Sequence, residues 1–233
     1  MKRKKWIIMI TLYSILLTVA VYLSARYFTK KYPSPLTSPV FLSTVIIIII
    51  LKISKISYPD YKQAKIIMTY LLGPATVSLA VPIYKNRDLF IKYIWAAVSG
   101  LFIGSISTIA SALFIAKGLH LSKIYLLGMT VKSVTVPVAT EIGGIIHGNI
   151  SLIAAFVIIT GMIGAMFGAK LLSWFKIDHP FARGLSIGTI AHGIGTAEAV
   201  KEGEIQGAVS GAAMGIAAVL TSIIVPYIIN FIT

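Results

Sequence analysis

Apolar runs of membrane length recur from one end of this 233-residue sequence to the other, and they leave a soluble fold too little polar surface to cover itself. The stretches at 6–24, 90–116, 150–175 and 206–230 each suffice for a helix rising about 1.5 Å per residue through a hydrocarbon core of about 30 Å. Shorter runs at 36–51, 65–84, 121–140 and 183–200 bring the expected total to seven or eight segments. Only 12% of the residues are charged, about half the share of an ordinary soluble chain, while 57% are hydrophobic. The expected fold is all-α: a polytopic transmembrane helical bundle, with residues 1–233 forming one integral membrane domain.

A net charge of +14 would suit nucleic acid, but the Lys and Arg residues sit in short clusters between apolar runs, with no basic domain to hold a duplex. Such clusters fit loops facing anionic headgroups, so the bilayer is the expected partner and nucleic acid is not. The chain has no cysteine, four scattered histidines and seven acidic residues, a poor inventory for disulfides, thiolate chemistry or a metal centre. No cofactor, metal site or enzymatic nucleophile–base pattern is expected. The start, Met1-Lys-Arg-Lys-Lys, precedes an apolar stretch without a small-residue cleavage site, which reads as a retained first span. If all eight segments cross and the N-terminus is cytoplasmic, thirteen Lys and Arg residues fall inside and seven outside. On that count Lys117, Lys123, Lys170, Lys176 and Arg183 share the inner side, with Lys85, Arg87, Lys92 and Lys201 opposite.

The segments at 65–84, 121–140 and 183–200 differ from the rest, being rich in Gly, Pro, Ser and Thr. A Gly or Pro within a span frees backbone N–H and C=O groups, and a bound solute or ion can satisfy them. The expected helix-breaking positions are Gly73, Pro74, Pro82, Pro137, Gly143 and Gly144. Residues 70–83 align with 125–138 at a constant offset of 55 and share seven of fourteen identities, either by coincidence in an apolar alphabet or as an internal structural repeat around a midplane site. Whether these segments cross or re-enter stays open.

Two ionisable residues stand out. Lys132 lies far from either end of its segment, where insertion costs about 2.5–3.5 kcal/mol unless it faces water, an anion or a carboxylate. Snorkelling, or pairing with Glu141, would also satisfy it. His192 lies among Gly188, Gly193 and Gly195, where it can relay a proton or simply bond a backbone carbonyl. The hydroxyls of Ser133 and Thr135 line a cavity or bond back to helix carbonyls. Gly207, Gly211 and Gly215 read as a close-packing face only.

Three stretches resemble the signatures of the CidB/LrgB family of bacterial membrane proteins. They are Gly73-Pro-Ala-Thr-Val-Ser-Leu-Ala-Val-Pro-Ile-Tyr84, Lys132-Ser-Val-Thr-Val-Pro-Val-Ala139 with Gly143-Gly144, and Ala182-Arg-Gly-Leu-Ser-Ile-Gly188 with His192-Gly-Ile-Gly-Thr-Ala197. The Lys and Arg ratio favours a cytoplasmic N-terminus, and the resemblance implies a multi-pass protein of the bacterial cell membrane, expected to be homo-oligomeric, with a small CidA/LrgA-type membrane protein as a further partner. The family is named for holin-like and antiholin-like control of murein hydrolase activity and cell lysis, and it includes a plastid translocator of glycolate and glycerate. Its bacterial members are linked to pyruvate or acetate movement. The expected function is secondary transport of small monocarboxylates, with a holin-like or antiholin-like regulator as the alternative. In the transport reading Lys132 attracts the carboxylate, and Ser133, Thr135, Thr76, His192 and the backbone at Gly193, Gly195 and Thr196 complete the substrate site. His192 and Glu141 are the candidates for proton coupling.

Overall fold

A computed structural model describes residues 2–232 except 33, 35, 36, 72, 73, 75, 76, 78, 79 and 86, with side chains described for all of these but 2–5, 80, 82, 83 and 230–232. Every regular element among the described residues is helical. Four helices are long and apolar enough to cross a membrane: Trp6–Lys31, Ile94–Gly118, Ile150–Trp174 and Glu204–Ile229. The chain divides into two compact units, Met1–Ser78 and Leu79–Thr233.

The first unit holds α1 (Lys2–Lys31), α2 (Pro39–Ile53) and α3 (Tyr58–Tyr70), with α2 and α3 both packed on α1. Pro39 opens α2 at a position where a missing N–H costs nothing. Asp60 accepts a bond from the backbone N–H of Ser57 at the head of α3, reaching back to an amide the helix leaves unpaired. Thr18 ties α1 to α3 through the Tyr61 hydroxyl at 2.9 Å.

The second unit holds α4 (Ala80–Lys85), α5 (Arg87–Lys92), α6 (Ile94–Gly118), α7 (Lys123–Thr130), α8 (Val136–Ile145), α9 (Ile150–Trp174), α10 (Pro180–Glu202) and α11 (Glu204–Ile232). Its long helices are α6, α9 and α11. Between them lie two elements that fold back on themselves. In α10 the side chains of Arg183 and Glu202 meet at 2.7 Å, although nineteen residues of straight helix would hold them about 28 Å apart. The reversal is at His192, whose φ of 41° and ψ of −139° break the helix into arms at 180–191 and 193–202.

The pair α7 and α8 makes a second, wider hairpin around the non-helical residues 131–135. Lys123, Ile124 and Leu127 of one arm share a cavity of about 440 Å³ with Ile145, Ile146 and His147 at the end of the other. Gly128 and Gly143 both lie against the side chain of Ile153 on α9. Pro137 opens α8, and Asn149 caps α9 by accepting from the Leu152 N–H at 3.0 Å.

The segments at 121–140 and 183–200 therefore fold back on themselves instead of running straight. The base of the α7–α8 hairpin lies at the start of α9, where Gly143 and Gly148 meet Ile153. The base of the α10 hairpin lies at the other end, where Arg183 bonds Ala169 O and Ser173 Oγ. The hairpins thus point at each other from opposite ends of α9. Helix α11 runs the reverse way, from Gln206 beside Gly184 to Pro226 and Ile229 beside the α7–α8 base. Helix α6 runs as α11 does: Ala97 clusters with Phe181, and Ile109 and Leu113 cluster with Leu126 and Leu127.

This arrangement corrects the charge assignment made for eight straight crossings. Lys117 and Lys123 lie at one end of the second unit, while Lys170, Lys176, Arg183 and Lys201 lie together at the other, because each hairpin returns the chain to the end it left. Two expected helix breaks are also corrected. Gly143 and Gly144 are helical in the last turns of α8, and Gly143 is small because the methyl of Ile153 lies 2.4 Å from where a Cβ would stand. Pro82 lies within α4, and Gly73 falls outside the described residues, as do five further positions of the first copy of the 70–83/125–138 repeat.

Candidate functional site

The α7–α8 hairpin exposes its chemistry because the helix stops and restarts. Helix α7 ends at Thr130, and Thr135 stands as the N-cap of α8 without a side-chain capping bond. The first amides of α8 have no acceptor within the helix. Lys132 and Ser133 lie in this turn, with Lys132 Nζ donating to Ser133 Oγ at 3.2 Å. Arms of eight and ten residues reach about 12 and 15 Å, about half the thickness of a bilayer core, so neither arm is long enough to cross one. No ion pair joins Lys132 to Glu141 among the described residues. Glu141 lies exposed on α8. Neither Ser133 nor Thr135 bonds back to a helix carbonyl, whereas Thr130 and Thr140 on the same arms do.

The tip of α10 is built around His192, which is 3% exposed. Its Nε2 lies 3.0 Å from the carbonyl of Val157 on α9. A carbonyl only accepts, so Nε2 carries the proton and the neutral ring presents Nδ1 as an acceptor. Thr196 Oγ1 donates to the His192 carbonyl at 2.8 Å and lies 2.8 Å from Ser210 Oγ on α11. The glycines hold this geometry mostly by closeness. A Cβ at Gly161 would stand 2.7 Å from the His192 ring, and one at Gly188 would stand 2.2 Å from Ser210 O. Gly195 packs on Ala191 and Ile187 of the opposite arm, while Gly193 is looser, with Met214 Sδ at 3.6 Å.

The two tips converge on one stretch of α9. Phe156 packs against Gly128 just below the first tip, and the Val131, Val134 and Val157 side chains share one buried cluster. His192 takes the backbone of the same Val157. The candidate residues thus form two groups, Lys132, Ser133 and Thr135 on one tip and His192, Gly193, Gly195 and Thr196 on the other, with no hydrogen bond between the groups among the described residues. Pro137 starts α8 behind the first tip. Thr76 falls outside the described residues.

Two positions that build the hairpins escape a reading of the sequence. Ser210 lies within the Gly207–Gly215 stretch that reads as packing, yet its hydroxyl joins the second tip. Arg183 reads as a loop charge, yet all its N–H groups are engaged at the hairpin base. Nε and Nη2 donate to Glu202 at 2.9 and 2.7 Å, Nη1 to Ser173 Oγ and Ile177 O, and Nη2 also to Ala169 O. The Arg…Glu spacing of nineteen residues is the one signal that could have revealed the reversal.

Sequence comparison agrees with this architecture in extent. The model of the LrgB-like family matches residues 18–231. The uncharacterized protein YwbG of Bacillus subtilis (strain 168) is 33% identical over 219 residues, covering 94% of this chain and 97% of that one. The antiholin-like protein LrgB of the same organism is 34% identical over 171 residues, covering 73% of this chain and 74% of its own. No solved structure matches. With nearly its whole length inside the family match, the chain belongs to the LrgB-like family of membrane proteins.

Proposed function

We propose that this protein is a secondary carrier of small monocarboxylates in the bacterial plasma membrane. The observation that carries the reading is the pair of opposed hairpins, one tip bearing Lys132 and the other His192, both meeting α9 near Val157. Opposed re-entrant elements suit a solute site reached alternately from either side, with unpaired helix-end amides and a half-buried cation to hold a carboxylate. His192, with Nδ1 open to accept, is the candidate proton relay, and Glu141 is the second. A chain that only assembled lesions would need self-packing faces and would gain nothing from two tips clamped toward each other.

The test is uptake of labelled pyruvate, acetate and glycolate into proteoliposomes, with and without a pH gradient. Saturable uptake that collapses in Lys132→Ala and His192→Ala supports the carrier. Unselective leak in its place would overturn it. The name of the Bacillus subtilis relative supports a second reading, an antiholin-like regulator acting with a small CidA/LrgA-type partner. Flux that appears only when such a partner is co-reconstituted would favour that reading.

A further inference from the structure

Helix α6 carries a buried stripe of Ala97, Leu101, Ser105 and Ile109 toward α11 and the hairpins, and one member of it is polar. Ser105 is 2% exposed, and its hydroxyl has no hydrogen-bond partner. That is unusual for a helical hydroxyl, which normally bonds the carbonyl four residues back. Ser99 does so on the same helix, as do Ser173, Thr189 and Ser222 elsewhere in the second unit. Among the described residues the other orphaned buried hydroxyls, Ser14 and Ser38, lie in the first unit.

The position of Ser105 gives its hydroxyl a use. The preceding residue, Gly104, lies 3.1 Å (from an added Cβ) from Thr189, three residues before the His192 tip. One turn further on, Ile109 belongs to the cluster of Val131 and Val134, which flank Lys132 and Ser133. Ser105 therefore stands on the inward side of α6, where Leu101 one turn back packs on Ala213 and Ala217 of α11, at the level where the two tips end. A buried polar group left unpaired in apolar surroundings is costly, and a ligand arriving at that level would satisfy it.

We propose that Ser105 is a third contributor to the solute site, its hydroxyl donating to a small carboxylate held between the two tips. This rests on the carrier reading above and adds a residue from an unbroken span that no motif marks.

The absence of cysteine makes a direct test available, because Ser105→Cys would carry the only thiol in the chain. In proteoliposomes the rate of modification by a small water-soluble methanethiosulfonate is measured by mass spectrometry, with Leu121→Cys as an exposed control. The expected result is modification at Ser105→Cys that millimolar pyruvate or acetate slows several-fold and chloride does not. No modification while the control reacts fully would place Ser105 in dry packing and overturn the proposal. Modification without protection would overturn the carboxylate contact.

Ser105→Ala is the second arm. Loss of a hydrogen bond to a charged group should weaken carboxylate binding about ten- to a hundred-fold, with stability unchanged or improved. Unchanged binding would also overturn the proposal. Protection without any measurable transport would leave this contact standing and defeat the carrier reading instead.

Discussion

At His192 the backbone sits at φ 41°, ψ −139°, a region that L-residues with side chains enter only under strain of about 1–3 kcal/mol. Thr196 and Val157 hold it there. Glycine would take the same turn without strain, so His192→Gly should be more stable than His192→Ala by about 1–2 kcal/mol, read as the difference in thermal unfolding in detergent. Equal stabilities would mean that the strain is not borne at this residue. The glycines make a matched pair. A Cβ at Gly188 meets the Ser210 backbone at 2.2 Å, whereas one at Gly168 meets nothing within 4 Å. Gly188→Ala should cost about 3 kcal/mol or more and Gly168→Ala little, by the same measurement. Much of this is visible in sequence, since Lys132 and His192 among Gly, Pro and Thr announce broken helices. Ser210 and Ser105 are not, because a serine in an apolar helix reads the same whether it packs, bonds back or faces a ligand.

The hairpins are held by different means. The α10 hairpin closes on the Arg183–Glu202 pair, whose side chains are 11% and 20% exposed, and on Gly184 and Gly188 lying against α11. Lysine cannot reproduce a bidentate fork that also serves three other acceptors. Arg183→Lys should therefore destabilise the second unit by about 3 kcal/mol, the scale of breaking a largely buried ion pair, and Glu202→Gln should do less. Melting of each variant against the parent decides it, and equal losses would point to packing as the main clamp. Four helices end in a second recurring device. Lys55, His120, His147 and Lys176 take positive φ where glycine is usual, while the next amide bonds back five residues, as Leu121 N does to Ala116 O. A cation there meets the negative helix end, a gain of about 0.3–1 kcal/mol, less than the left-handed conformation costs. His120→Gly should accordingly raise stability by up to about 1 kcal/mol. These reversals are hidden from hydropathy because residues 183–200 are about as long as one crossing, and each arm needs apolar residues whether it continues or turns back.

Across the second unit a hairpin followed by a long helix occurs twice, at 123–174 and 180–232, and the two copies point opposite ways because each contains one full crossing. This inverted repeat is not the 70–83/125–138 similarity of the sequence. Burying a hairpin between two spans requires small residues at the contacts and little else. The inversion also sorts charge. Arg87, Lys92, Lys170, Lys176, Arg183 and Lys201 gather at the base of the α10 hairpin, where Tyr93 packs on His179, while Lys117 and Lys123 stand at the base of the α7–α8 hairpin. Basic residues favour the cytoplasmic face, so the α10 base should face the cytoplasm and the α7–α8 base the outside. In the cysteine-free chain, Leu121→Cys should react with an impermeant maleimide added to intact cells, and Phe175→Cys only after permeabilisation. Labelling of both from outside would show that at least one hairpin spans the membrane. The reverse pattern would keep the hairpins and invert the protein, placing Lys132 on the gate reached from the cytoplasm.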